Sequence, residues 1–231
     1  LTLVLNNGNN WTDSFTDLDK YENGVEIVYT VREAEVQGYE TVITGDQYTG
    51  YTVTNSHTPA TVEVSGTKTW NDNDNQDGIR PASIVVNLLA NGEQVDSLTV
   101  TADENGSWSY TFADLDEYKN GKKINYSVTE EKVTGYEAVI TGYNITNTHK
   151  PEETEVSVTK AWEDANNQDG IRETSVTVVL KADGKETDKV AVLKDANEWN
   201  YTFTNLAKYR DGGVEIVYTV EESDVPAGYT A

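Results

Sequence analysis

The 231-residue chain sets 40 Asp and Glu against 17 Lys and Arg, a formal net charge of −23. That balance argues against nucleic acid or an anionic membrane as a partner, since both recruit Lys and Arg. The 14 Tyr and 5 Trp are too many for a disordered acidic tail, the lack of Cys excludes disulfides and thiolate metal sites, and no run approaches the roughly 20 apolar residues of a membrane-spanning helix.

From the first residue the pattern is that of β-strands. The chain opens at Leu1 on strand-like sequence with neither a signal peptide nor an initiator Met, and so reads as a fragment. Trp11 to Phe15 and Tyr21 to Gly24 introduce segments that recur later. Tyr29, Val31 and Glu33 share one face of a strand, as do Tyr51, Val53 and Asn55. A proline-marked stretch from His57 to Ala60 follows. In the next strand Val62, Val64, Lys68 and Trp70 fall on one face and Glu63, Ser65, Thr67 and Thr69 on the other. An acidic loop from Asn71 to Gly78 leads to the apolar run Ile84 to Leu89. Asn91-Gly92, Asn105-Gly106 and Asn120-Gly121 mark turns between further strands. Tyr126, Val128 and Glu130 then share parity, and so do Tyr143, Ile145 and Asn147. After a second boundary, from His149 to Glu153, the lysine strand returns with Val156, Val158, Lys160 and Trp162 on one face, and the chain continues to Tyr218, Val220 and Glu222.

The recurrence sets the organisation. Thr67-Lys68-Thr69-Trp70 returns as Thr159-Lys160-Ala161-Trp162, and Asn75 to Arg80 returns unchanged as Asn167 to Arg172. Trp108 to Phe112 matches Trp11 to Phe15 and Trp199 to Phe203. The expected units are residues 1–59, 60–150 and 151–231. The first lacks its lysine strand, the second is complete, and the third lacks its last strand. Units of this length, built from short strands and turns, predict an all-β protein of tandem antiparallel β-sandwiches.

Each full unit thus points a Lys, a Glu and an Asn toward its interior, from the first, penultimate and last strands. A buried charged lysine must be neutralised, paired or chemically altered. If the three converge, an apolar pocket favours the neutral amine, which is a nucleophile, and the neutral acid, which can polarise the Asn carbonyl and carry protons to the leaving group. Attack of Lys68 Nζ on Asn147 Cγ would expel ammonia and leave an amide between side chains. Any one such residue, taken singly, is more often a snorkelling lysine or a satisfied edge residue.

The combination Val-x-Val-Thr-Lys-x-Trp, Asn-Gln-Asp-Gly-Ile-Arg, Tyr-x-Val-x-Glu and Ile-Thr-Asn-Thr-His resembles the B-type repeat domains of collagen-adhesin-like surface proteins of Gram-positive bacteria, over essentially the whole chain. The resemblance implies an inverse-immunoglobulin or prealbumin-like topology, an extracellular cell-wall location, and a self-formed Lys–Asn isopeptide bond assisted by a Glu. On this chain those positions are Lys68, Asn147 and Glu130. Lys160 with Glu222, and Asn55 with Glu33, are half-sites without a crosslink partner. It implies a stalk whose partners are neighbouring repeats, with any host matrix protein bound by another domain, no cofactor and no enzymatic turnover beyond the single self-reaction. A module that binds matrix directly is the rival reading. The Asn71 to Gly78 loop does not fit an EF-hand, because Gly78 comes one place late for Asp72 and Ser83 stands where the bidentate Glu belongs. His57 and His149 are expected to be linker residues, and Trp108 and Trp199 core residues.

Overall fold

A computed structural model describes residues 1–230. The chain divides into two compact units, Leu1–Ala60 and Thr61 onward. In the first, strand β1 (Glu40–Asp46) pairs antiparallel with β2 (Gly50–Ser56), setting Ile43 against Val53. A two-residue ribbon joins Tyr21–Glu22 to Val25–Glu26. Asn23 and Gly24 at its tip both take positive φ, the backbone that an Asn-Gly turn supplies.

The second unit contains two hydrophobic cores. The first core lies between two sheets. Strands β3 (Thr61–Asn71), β4 (Ser83–Ala90), β5 (Glu93–Thr101), β6 (Trp108–Asp116), β7 (Tyr126–Glu130), β8 (Glu137–Thr141) and β9 (Asn144–Thr148) build them. One sheet runs β8-β9-β3-β6 and the other β7-β4-β5. Burial follows the period of two: Val64 on β3, Ile84, Val86 and Leu88 on β4, and Trp108, Tyr110 and Phe112 on β6 point inward, while their neighbours along each strand are exposed or half-buried. Ile145, at 0% exposure, closes the core from β9.

The pairing of β3 with β9 is parallel, whereas the other ladders are antiparallel. First and last strands therefore lie side by side and point the same way. The chain enters at one pole of the sandwich and leaves at the other, and the loop after β3 sits beside the exit of β9. Glu130 does not come from the penultimate strand. The exposed strand β8 intervenes, with Val139 63% exposed, and a two-sided exposed edge strand has no burial alternation to announce it.

The second core repeats the plan with β10 (Glu153–Thr159), β11 (Ser175–Ala182), β12 (Lys185–Lys194), β13 (Asn200–Ala207) and β14 (Tyr218–Glu222), in sheets β10-β13 and β12-β11-β14. Phe203, Leu193 and Leu180 are buried there, and Trp199 packs half-buried against them. Strand β10 stops at Thr159, short of the lysine, whereas β3 continues to Asn71. The ladder from Lys68 to Asn71 on the β9 side holds that extra length. Among the described residues no helix is long and apolar enough to cross a membrane.

Candidate functional site

The lysine on β3 is where periodicity puts it, inside. Lys68 is 5% exposed and its Cα pairs with Ile145 of β9, so Asn147, two residues on, shares the same inner face. Asn147 is 0% exposed. Glu130 ends β7 opposite Val86 of β4 and reaches across from the facing sheet. Its Oε1 lies 3.1 Å from Lys68 Nζ, and both side chains are almost wholly withdrawn from solvent. Among the described residues, neither Nζ nor Oε1 has a hydrogen-bond partner of good geometry. Neither the Asn147 Oδ1 nor its Nδ2 has one either. Buried amides are nearly always satisfied, so an Asn with both side-chain atoms orphaned on the inner face that also carries a buried amine is a high-energy arrangement.

Burial pushes the Lys68 ammonium below the usual lysine range, against the opposing effect of Glu130 and of Asp72. Aromatic rings wall the site. Nζ sits 4.3 Å from the centre of the Trp70 ring, which meets Trp108 edge-on at 5.4 Å and Tyr136 at 4.9 Å. The Tyr110 hydroxyl donates to the Tyr143 carbonyl, and its pKa is pushed up to about 12 by burial and by the charge of Glu130. Gly66 leaves room for that contact: a Cβ there would meet the Tyr143 carbonyl oxygen at 2.0 Å.

A polar clamp seals the pole beyond Trp70. Arg80 donates to both oxygens of Asp72, at 3.0 and 2.5 Å, and the Tyr136 hydroxyl donates to the same carboxylate at 2.7 Å. Burial raises the Asp72 pKa, but these donors and the Asn75 N–H outweigh it and hold it at about 2. With Asp72 so occupied, its carboxylate organises the loop. Asp164, Arg172 and Tyr229 rebuild the clamp in the second core. Asp72, Arg80, Tyr136 and Tyr110 were not singled out by parity. The signals for the clamp were the Asp–Arg spacing of eight, kept in both copies, and a Gly-Tyr pair after each Glu strand.

The remaining predicted residues are placed as follows. Lys160 Nζ donates to Glu222 Oε2 at 2.9 Å, in a more open setting than Lys68, and lies 4.7 Å from the Trp162 ring centre. Glu222 pairs with Val178 on β11, the counterpart of Glu130 with Val86. In the first unit Asn55 Nδ2 donates to Glu33 Oε1 at 2.9 Å, and the Thr41 hydroxyl is 2.8 Å from both Glu33 Oε2 and Asn55 Oδ1. Asn55 is exposed there. The structure thus brings all three residue types together around the first core, and two of the three in each of the other sets.

Comparison with known proteins agrees with this architecture. The family model of the Cna protein B-type domain matches residues 1–56, 64–148 and 156–231. A collagen adhesin of Staphylococcus aureus is 47% identical over 230 residues, which is 99% of this chain and 19% of that protein. The chain therefore spans about a fifth of that relative. The crystal structure of two B repeat units of the collagen binding protein of Staphylococcus aureus is 46% identical, with a TM-score of 0.57 over 98% of this chain and 60% of that one. A single B repeat unit of that protein is 49% identical over 74% of this chain, with a TM-score of 0.38. With the family model matched along nearly its whole length, the chain belongs to the Cna protein B-type domain family.

Proposed function

We propose that these repeats, divided at 1–59, 60–150 and 151–231, are spacer units of a bacterial cell-surface adhesin, and that the complete one carries load through an amide between Lys68 and Asn147. The observation that supports this reading is the shared burial of Lys68, Glu130 and Asn147, with the Asn amide left without any hydrogen-bond partner. Transfer of one proton from Lys68 Nζ to Glu130 across 3.1 Å turns two buried charges into a neutral amine and a neutral acid, the state that burial favours. Nζ then adds to Asn147 Cγ while the Glu130 carboxyl donates to Oδ1. Collapse of that intermediate forms the Nζ–Cγ bond, breaks the Cγ–Nδ2 bond and releases ammonia. Glu130 relays the proton that the leaving nitrogen takes up and ends as the neutral acid, holding the proton first taken from Lys68. Fixed partners on adjacent strands gain the rate advantage of an intramolecular reaction. Lys160 with Glu222, and Asn55 with Glu33, would hold the corresponding parts in the neighbouring repeats.

Mechanically, the parallel β3 and β9 are the strands that pulling would shear apart. A covalent tie between them routes force through bonds instead of hydrogen bonds worth about 1 kcal/mol net each. Positions 68 to 147 enclose 80 residues, which extend by about 270 Å at ~3.4 Å per residue. In single-molecule pulling of the chain from its ends, the wild type should withhold that extension and Glu130→Ala should release it. Release of the full length by the wild type would refute the stalk mechanism.

A further inference from the structure

The loop motif Asn-Gln-Asp-Gly-Ile-Arg is kept unchanged in two copies, yet Asp77 and Gly78 take no part in the crosslink site or the Asp72 clamp. Asp77 is 8% exposed, and its Oδ2 accepts from the Glu152 N–H at 2.7 Å and lies 2.8 Å from His149 Nε2. Both partners belong to the segment that leaves β9 for the next sandwich. One residue further on, Gly78 meets that sandwich itself. A Cβ on Gly78 would stand 2.2 Å from the Gly212 carbonyl oxygen and 2.9 Å from the Gly213 Cα, and the Gly213 N–H donates to the Gln76 carbonyl at 3.0 Å. Gly170, the same motif position in the next copy, has a nearly identical φ (+69° against +71°) and, among the described residues, nothing within 4 Å of its Cβ site. The close approach at Gly78 therefore comes from the neighbour and not from the loop's own fold. The receiving turn is also distinctive. Tyr209-Arg210-Asp211-Gly212-Gly213-Val214 carries one more residue, a second glycine, than Tyr21 to Val25 or Tyr118 to Lys122.

We propose that the Asn71–Arg80 loop is a joint that sets the angle between consecutive repeats: Asp77 latches the linker through His149 and Glu152, and Gly78 seats the glycine turn of the repeat that follows. The joint stands whether or not the Lys68–Asn147 amide forms.

The latch is also sensitive to protonation. His149 Nδ1 is 2.8 Å from the Gly135 carbonyl oxygen while Nε2 faces the Asp77 carboxylate. Both facing groups only accept, so both ring nitrogens must donate, and only the imidazolium does that. The ring is also packed by Tyr136 at 5.5 Å, and the His149 N–H is held by the Asn71 carbonyl. Burial disfavours the imidazolium, but Asp77, the Gly135 carbonyl and the charge of Asp72 outweigh it and raise the His149 pKa. A raised folded pKa means that the extra hold is complete below the ordinary histidine range of about 6.5 and is lost as pH climbs through the raised value.

The chain contains no cysteine, so nitroxide labels can be placed at Ser65→Cys and Ser157→Cys, exposed strand positions in the two sandwiches. Pulsed electron–electron double resonance then reads the spread of inter-repeat distances in the whole chain. A narrow distribution is expected in the otherwise unchanged chain and in Gly170→Ala, which carries the same positive-φ cost without the clash. Gly78→Ala should shift and broaden it, and Asp77→Ala should broaden it, while thermal melting reports that each variant still folds. The unchanged chain should broaden between roughly pH 5 and pH 8. Equal distributions in Gly78→Ala, Asp77→Ala and Gly170→Ala would overturn the joint, and a width independent of pH would overturn the His149 latch.

Discussion

Replacing Asn147 by alanine separates a covalent tie from ordinary packing, because the two accounts of this residue predict effects of different size. Both polar atoms of the Asn147 side chain are buried and without partners. Were the side chain merely packed, removing an unsatisfied amide would leave stability within about 1–2 kcal/mol of the starting value. Were it joined to Lys68, the substitution would reopen a loop of 80 residues, from 68 to 147. In the chain-entropy model a loop of that length contributes about 4.5 kcal/mol at 25 °C. For a sandwich of this size each kcal/mol moves the melting midpoint by about 4–8 °C, so the transition of this repeat should fall by roughly 18–36 °C. Differential scanning calorimetry of the whole chain measures it, with the transition of the second core as an internal reference. A fall of only a few degrees in a protein that still folds would refute the reasoning. Asn147→Ala leaves the Lys68–Glu130 pair intact, so a large loss could not be assigned to a stranded buried charge.

Glu130→Ala should cost about 3–5 kcal/mol beyond the loss of the tie, since it leaves Lys68 buried without a carboxylate, and denaturant titration against Asn147→Ala reads the difference. Tyr136→Phe removes one of the donors to Asp72 and should lower stability by about 1–2 kcal/mol in the same titration, with no change in crosslinking. Acid should weaken the Asp72 clamp: the folded pKa lies at about 2 against the ordinary aspartate value of 3.8. Its contribution, roughly 2 kcal/mol, is therefore present above the unfolded pKa and is lost as pH falls from about 4 toward 2. Melting across that range should show a loss that Asp72→Asn does not show.

The inward faces of β3, β7 and β9 were legible in the sequence because strand parity is a strict period and the repeats state it more than once, whereas β4 showed only as an apolar run. Lys68, Glu130 and Asn147 stood out for the same reason, as polar residues on otherwise apolar faces. What lay beyond reach was partnership. No local pattern states that β3 and β9 run parallel, since that pairing joins residues nearly a full repeat apart. Strand β8 was hidden because its side chains are all exposed and follow no alternation. The Asp72–Arg80–Tyr136 clamp was disguised as an acidic turn-rich loop: composition registers the carboxylate but not the guanidinium eight residues on or the phenol 64 residues on that hold it. His149 had the features of a linker residue, and only the fold shows the carboxylate it meets.

Intact-mass spectrometry of the folded chain reads the crosslink itself. The wild-type mass should be lower than the sequence mass by one ammonia, with the deficit absent from Glu130→Ala and from Asn147→Ala. The full sequence mass in folded wild-type protein would contradict it, and Lys68, Glu130 and Asn147 would then be a buried polar cluster without a covalent purpose.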